Sequence, residues 1–155
     1  MKPSLDAFNR LLTIMDELRV KCPWDRKQTM ESLRTLTIEE TYELADSILE
    51  NEMDEIKKEL GDLLLHIIFY AKIAEEKKAF DITSVIQSLC DKLVKRHPHV
   101  FGDTLVKNHR EVEENWEEIK MKEGNKSILS GVPHALPALI KSTRVQQKVR
   151  GVGFD

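Results

Sequence analysis

Apolar residues recur at intervals of three and four along most of the chain, a spacing that predicts amphipathic α-helices. The alternation of apolar and polar residues that is typical of strands is not seen, so the pattern predicts an all-α fold. Six helices are expected: the first is capped by Ser4, and the others span about residues 28–49, 55–77, 82–96, 108–122 and 137–149.

A proline marks the first predicted break. Pro23 disfavours helix at Cys22, and we expect Trp24 and Asp25 to lie in a loop, with Trp24 covering the core. Further breaks are predicted at a turn over residues 51–54, at Asp81, which would cap the fourth helix, in a loop over residues 124–133, and at Gly151 and Gly153.

The third predicted helix is apolar over more than one of its faces. A helix of this kind belongs at the centre of a bundle or in a subunit interface. Its apolar residues are Leu60, Leu63, Leu64, Ile67, Ile68 and Ala71. The residues predicted to face the core from the second and fourth helices are Leu33, Leu36, Leu44, Ile48, Leu49, Val85, Ile86, Leu89 and Leu93.

Four carboxylates flank the predicted turn. Glu40 and Glu43 are three residues apart and share one face of the second helix. Glu59 and Asp62 have the same spacing on the third helix. Position 51 is the midpoint of both the outer and the inner pair. If the helices fold back antiparallel about Asn51, the four carboxylates meet at matching heights.

Converging carboxylates repel one another unless a cation shares the site, and an all-oxygen site suits Mg²⁺ or Mn²⁺. Gly61 lies between two of them at a cost of about 1 kcal/mol against alanine, and Asp62 lies among leucines, where a carboxylate needs a partner. The simpler alternative is two solvated acidic faces, in a chain with 27 acidic residues. A ferritin-like di-iron site is disfavoured because it requires Glu-x-x-His pairs. His66 can reach the site, but we favour a core position for it.

Two further pairs of residues carry groups that suit a nucleotide. Lys92 and Arg96 are four residues apart on the fourth helix, and Trp116 and Lys120 have the same spacing on the fifth. Lysine and arginine complement metal-bound phosphates, and an aromatic ring can stack on a base. Taken without the acidic site, the same residues fit a solvated face with Trp116 in the core.

Composition narrows the class of protein. The chain has 155 residues, 41% hydrophobic and 33% charged, with a net charge of −3, which does not favour non-specific nucleic-acid binding. No secretory leader or membrane-spanning run is predicted, and two cysteines do not form a disulfide framework. We therefore expect a cytoplasmic protein that binds neither membrane nor nucleic acid.

The acidic motif resembles the signature of the MazG-type all-α nucleoside triphosphate pyrophosphohydrolases. That motif consists of Glu39, Glu40 and Glu43, followed by Glu59 and Asp62. It is shared with dUTPase-like, dCTPase-like and phosphoribosyl-ATP pyrophosphohydrolase relatives. Flanking segments narrow the resemblance to MazG proper, and they are residues 22–25 (CPWD), 92–101 (KLVKRHPHVF), 127–133 (SILSGVP) and 152–155 (VGFD).

The resemblance implies Mg²⁺-dependent hydrolysis of NTPs or dNTPs to a nucleoside monophosphate and pyrophosphate, with water attacking the α-phosphorus. Mn²⁺ is expected to substitute for Mg²⁺. The metal ligands implied are Glu40, Glu43, Glu59 and Asp62, and the implied phosphate and nucleotide contacts are Lys92, Arg96, Trp116 and Lys120. Either Glu39, about 100° around the helix from Glu40, or Glu43 is expected to activate the attacking water.

The resemblance also carries expectations about assembly. Relatives are dimers or higher oligomers whose helical bundle is completed between subunits. Bacterial MazG proteins often carry two such domains in tandem, so residues 1–155 are expected to form a single domain, the first of two copies. The alternative is a catalytically weak helical domain that regulates or scaffolds a partner.

Overall fold

The computed structural model describes residues 2–123, 127, 129 and 131–150, and over these residues it contains helices and no strand. The helices are α1 (Pro3–Lys21), α2 (Pro23–Lys27), α3 (Met30–Glu50), α4 (Met53–Glu76), α5 (Ile82–Arg96), α6 (Pro98–Phe101), α7 (His109–Lys122) and α8 (Ala138–Arg150). The all-α prediction is confirmed. The chain divides into two compact units, residues 1–87 and residues 88–155.

A tight turn joins α3 to α4 in the first unit. Asn51 ends α3 in the left-handed conformation, with φ 59° and ψ 35°, a backbone state that asparagine tolerates better than most residues. Farther from the turn, the Oγ1 of Thr37 and the hydroxyl of Tyr70 are 2.6 Å apart and hydrogen-bonded. The two helices therefore form the predicted antiparallel hairpin about Asn51.

The core of the first unit lies where α1 packs on this hairpin. Its fully buried members are Met15, Leu33, Ile68, Phe69 and Ile73. At the edge of this core, the Arg19 guanidinium lies 5.4 Å from the centre of the Phe69 ring and forms a 2.5 Å ion pair with Glu76. A second ion pair, Lys72 with Asp16 at 2.6 Å, also ties α4 to α1.

Two local predictions near prolines are wrong. Ser4 does not cap α1, because Pro3 already occupies the first turn and Lys2 is the capping position. Trp24 and Asp25 lie in a short helix rather than a loop. The reason is the same in both cases: proline fixes φ at a helical value and loses nothing at a first helical position, where its missing N–H would have no partner.

Several residues predicted to face the core are exposed. Ile48 and Leu49 at the end of α3 are 57% and 83% exposed. Ile86, Leu89 and Leu93 of α5 are also exposed. Helical periodicity places such residues on one face but does not say what covers that face. On α4, an apolar stripe of Leu60, Leu64 and Ile67 is likewise exposed.

In the rest of the chain, Asp81 caps α5 as predicted, and α7 begins with an asparagine cap that was not predicted. The Asp81 carboxylate accepts from the backbone N–H of Ser84 at 2.8 Å, before α5. In the second unit, the Asn108 side chain accepts from the backbone N–H of Glu111 at 3.1 Å, at the start of α7. Half of the predicted loop at 124–133, together with Gly151, Gly153 and the 152–155 segment, lies outside the described residues.

A membrane-spanning helix is not found among the described residues, since none of their helices is both long and apolar enough.

Candidate metal centre

Three carboxylates converge on the face that α3 presents to α4. Glu40 and Glu43 come from successive turns of α3, and Glu59 comes from the facing turn of α4. Each offers one oxygen atom, and the three oxygens lie within 4.8 Å of one another. The spacing of three residues on α3 and the turn at Asn51 are what bring them together.

Glu59 is the buried member of the group, at 3% exposure. Its Oε1 accepts from the Lys58 ammonium at 3.2 Å, and the same ammonium donates to Glu55, also at 3.2 Å. Its Oε2 is buried and has no hydrogen-bond partner. Because a buried carboxylate oxygen without a partner is costly, the site favours a cation there.

The electrostatics of the α3 carboxylates point the same way. Burial raises the pKa of Glu40 above its ordinary value, and neighbouring negative charges add to that effect. Burial also raises the pKa of Glu43, followed by the charge of Glu59 and then that of Glu39. A carboxylate whose charged form is disfavoured by its neighbours gains from a shared cation, which lowers the pKa again.

Asp62 is not one of the three residues whose carboxylate oxygens lie within 4.8 Å of one another. It is nevertheless close enough that its charge is the largest of those that raise the pKa of Glu40. Its charge also acts on His66, although burial has the larger effect and lowers the pKa of that imidazole. Asp62 is thus at the edge of the site.

The donor set fits a hard divalent cation. All the converging atoms are carboxylate oxygens, which Mg²⁺ and Mn²⁺ prefer. The unpartnered Oε2 of Glu59 supplies an oxygen that nothing else in the described chain satisfies. Glu39 is exposed on α3, next to Glu40, and is not one of the converging residues.

Residues predicted to contact a nucleotide lie in the second unit. The Arg96 guanidinium lies 5.7 Å from the centre of the Trp116 ring, and His97 meets the same ring edge-on at 4.8 Å between centroids. Arg96 also donates to the Glu123 carboxylate at 2.6 Å. The structure therefore brings Arg96 and Trp116 together, as a cation–aromatic pair.

The other two predicted contacts differ in their surroundings. Lys120 donates to Glu117 at 2.8 Å, and Lys148 lies 3.6 Å from the other oxygen of that carboxylate. Burial opposes ionisation of Glu117, but its interactions with Lys120 and Lys148 outweigh burial and hold its pKa below the ordinary value. Lys92 is exposed. Trp116 and Glu117 also line an open cavity of about 1000 Å³ within the second unit.

Lys58 is a site residue that sequence reasoning missed. The sequence could have indicated it, because Lys58 immediately precedes Glu59 and follows Glu55 by three residues, a spacing that supports an ion pair on a helix. For His66 we favoured a core position, and the structure shows that its side chain is buried. That its Nδ1 has no hydrogen-bond partner could not be read from the sequence.

Comparison with known proteins now identifies the family. A family profile described as MazG nucleotide pyrophosphohydrolase domain matches residues 28–101, which contain the acidic residues of both α3 and α4. The crystal structure of a mazG-related protein from Thermotoga maritima matches with a TM-score of 0.63 and 30% identity, covering 73% of this chain and 98% of that one. The chain belongs to the MazG family. The resemblance inferred from the sequence is confirmed.

Two similar proteins match this chain along almost its whole length. The Escherichia coli (strain K12) protein named nucleoside triphosphate pyrophosphohydrolase is 42% identical over 97% of this chain and 60% of its own length. The Thermotoga maritima protein named nucleoside triphosphate pyrophosphohydrolase/pyrophosphatase MazG is 44% identical over 100% of this chain and 61% of its own length. The chain thus spans about 60% of the length of these relatives.

Proposed function

We propose that the chain hydrolyses nucleoside triphosphates, ribo or deoxy, to a nucleoside monophosphate and pyrophosphate with Mg²⁺ as cofactor. The observation that carries the proposal is the convergence of Glu40, Glu43 and buried Glu59, whose Oε2 lacks a partner. Family membership and the names of the similar proteins support the reaction class.

We assign the metal to Glu40, Glu43 and Glu59, with Asp62 completing the set. When bound, Mg²⁺ or Mn²⁺ supplies positive charge for the triphosphate and lowers the pKa of water. The tight group of three and the charge of Asp62 acting on Glu40 support this assignment.

The water that attacks the α-phosphorus requires a carboxylate to orient it and take its proton. Glu39 and Glu43 are the candidates on α3. Glu39 is not among the converging oxygens, so its carboxylate is available for that role. Glu43 is one of the converging three, and a metal would occupy it.

We assign phosphate and nucleotide contacts to Lys92, Arg96, Trp116 and Lys120. Pyrophosphate carries a high negative charge as it leaves, and Lys and Arg stabilise such charge. The Arg96–Trp116 pair supports the assignment, because it presents a cation beside an aromatic face. A nucleotide would replace the Glu123 and Glu117 carboxylates as the partners of Arg96 and Lys120.

The proposal includes a homodimer or higher homo-oligomer. Exposed apolar residues line up on α4, at Leu60, Leu64 and Ile67, and on α3, at Ile38 and Tyr42. Pairing of these stripes between subunits would remove them from water. We also propose a cytoplasmic protein, in keeping with its two free cysteines. That residues 1–155 form one domain, the first of two in tandem, stays a prediction.

The same apolar stripes favour a second candidate function, a helical domain that binds or regulates another protein. This candidate predicts partner binding without hydrolysis. It does not explain the unpartnered oxygen of Glu59, which an interaction domain has no need to bury. We therefore place it second.

The test is pyrophosphate release from a panel of NTPs and dNTPs, with Mg²⁺ and with chelator, for the wild type, Glu59→Gln and Glu50→Gln. Glu50 is an exposed glutamate on α3 and provides a matched control. We expect Mg²⁺-dependent release that Glu59→Gln reduces on the order of 100-fold and Glu50→Gln leaves unchanged. Equal release by Glu59→Gln and the wild type, or none with any metal, would contradict the proposal.

A further inference from the structure

His66 is a buried polar side chain that the proposed function does not use. It is 7% exposed, and its Nδ1 is buried without a hydrogen-bond partner. His97, which follows the last residue of α5, shows the usual solution, since its Nδ1 lies 2.6 Å from the Leu93 carbonyl four residues back. His66 has no such bond, and an unpartnered buried polar atom costs about 1–3 kcal/mol. That a polar side chain is buried at this cost suggests that it gains a hydrogen-bond partner in another state of the protein.

Helix geometry places His66 beside the metal centre. Glu59, Asp62 and His66 follow one another by three and four residues and share one face of α4. Side chains in a helix tilt toward its N-terminus, so a residue at this spacing is expected to place its ring over the turn that carries Asp62. Across the hairpin, the converging carboxylates lie on the Asn51 side of His66, and the Thr37–Tyr70 hydrogen bond lies on the other side.

Asp62 is the acceptor that this position offers. It is the charged group whose field acts on His66. It is also the one predicted ligand that lies outside the three converging oxygens, so it requires something to hold it toward them. Carboxylates that bind metals are commonly held by a hydrogen bond from a neighbouring group, and loss of that bond weakens metal binding.

We propose that His66 is a positioning residue, which donates a ring N–H to the Asp62 carboxylate and holds that carboxylate toward the metal centre. The proposal rests on the metal site of the proposed function. His66 does not itself bind the metal or the nucleotide. The bond would form when Asp62 joins Glu40 and Glu59 in holding a cation, and it would give the buried imidazole its missing partner.

The test is direct binding of Mn²⁺, followed by electron paramagnetic resonance without substrate, for the wild type, His66→Met and His66→Gln. Methionine and glutamine have nearly the same shape, but only glutamine keeps an N–H donor. We expect His66→Met to weaken Mn²⁺ binding about 10-fold or more, and His66→Gln to stay within about 3-fold of the wild type. Without metal, His66→Met should unfold at the same temperature as the wild type or higher, because it removes an unpartnered polar atom.

A double-mutant cycle with Asp62→Asn tests the pairing itself. If His66 acts through Asp62, adding His66→Met to Asp62→Asn weakens Mn²⁺ binding no further. Fully additive effects, equal weakening by the Met and Gln variants, or wild-type affinity in His66→Met would each overturn the proposal. If the proposed metal site were itself wrong, the result would be different, because Mn²⁺ would then bind the wild type and Glu59→Gln equally weakly.

Discussion

Glu59 is the residue on which the proposed metal centre most depends. Its carboxylate is almost fully buried, yet Lys58 satisfies only one of its two oxygens. Transfer of a carboxylate from water to a protein interior is expensive unless it is paired. In their charged forms Glu40 and Glu43 cannot provide that pairing, because all three charges have the same sign. A cation bound between the three would offset both the burial and the repulsion.

Glu39 gives a prediction at the same scale. It lies beside Glu40, but its oxygens are not among those that converge. If Glu39 acts on the attacking water, its replacement should therefore lower turnover without weakening metal binding. We expect Glu39→Gln to lower kcat by about 10²-fold or more while Mn²⁺ affinity changes little. Glu43→Gln, measured in parallel, should weaken both. Unchanged turnover in Glu39→Gln would assign the role to Glu43.

Residue spacing constrains the inner pair of carboxylates more than the outer pair. Glu43 and Glu59 are each eight residues from Asn51, and a tight turn fixes the pairing of residues so close to it. Glu40 and Asp62 lie farther along, where the separation of the side chains depends on how the two helices cross. Residue spacing does not encode that angle, so the sequence could not show that the Glu40 oxygen joins the converging group while Asp62 stays outside it.

Gly61 carries a prediction at the scale of the helix. A Cβ atom built on Gly61 would meet nothing within 4 Å, so the structure shows no close approach that requires glycine. Gly61→Ala should therefore stabilise α4 by about 1 kcal/mol through helix propensity alone. Urea unfolding measures this, with Ala45→Gly at an exposed position of α3 as the reverse control. Destabilisation by Gly61→Ala would show that another molecule packs against this point.

The Arg19–Glu76 ion pair, which ties α1 to α4, gives a pH dependence. Hydrogen bonds from Arg19 hold the pKa of Glu76 below its ordinary value, and the Arg19 charge adds to them. Since the folded-state pKa is the lower one, the pair stabilises the fold above the unfolded pKa of about 4.3. That contribution is lost as the pH falls through the folded-state value.

Comparison of the wild type with Glu76→Gln by urea unfolding between pH 3 and 7 measures this contribution. Glu76 is 40% exposed, so screening by solvent limits the difference to about 1–2 kcal/mol near neutral pH. The difference should be constant above about pH 5 and shrink below about pH 4. Glu17→Gln breaks the exposed Lys21–Glu17 pair and should cost only about 0.3–0.5 kcal/mol. Equal costs at the two positions would contradict the role of Arg19.

Helix boundaries were predictable where the residue that begins or ends a helix acts only on residues close to it in the chain. Asp81, Asn108 and Asn51 act within a few residues, so their effect is visible in the sequence. The short helix α2 was missed because Pro23 both ends one helix and begins the next. The Arg19–Glu76 ion pair joins residues far apart in the chain, so no local sequence pattern predicts it.

At the scale of the whole molecule, the exposed stripe on α4 predicts self-association. Leu60→Glu combined with Leu64→Glu places charge on that stripe and should convert an oligomer to monomer. Light scattering after size-exclusion chromatography measures the mass. Val20→Glu changes an exposed apolar residue of α1 and should leave the mass unchanged. A monomeric wild type would contradict the prediction and strengthen the case for a different partner.

The measurement that tests the proposed function most directly is the fate of the attacking oxygen. ATP is hydrolysed with Mg²⁺ in ¹⁸O-labelled water, and the products are analysed by mass spectrometry. Attack at the α-phosphorus places the label in the nucleoside monophosphate and leaves pyrophosphate unlabelled. Label in pyrophosphate or in orthophosphate, or no turnover with either Mg²⁺ or Mn²⁺, would contradict the assignment of this chain as a nucleoside triphosphate pyrophosphohydrolase.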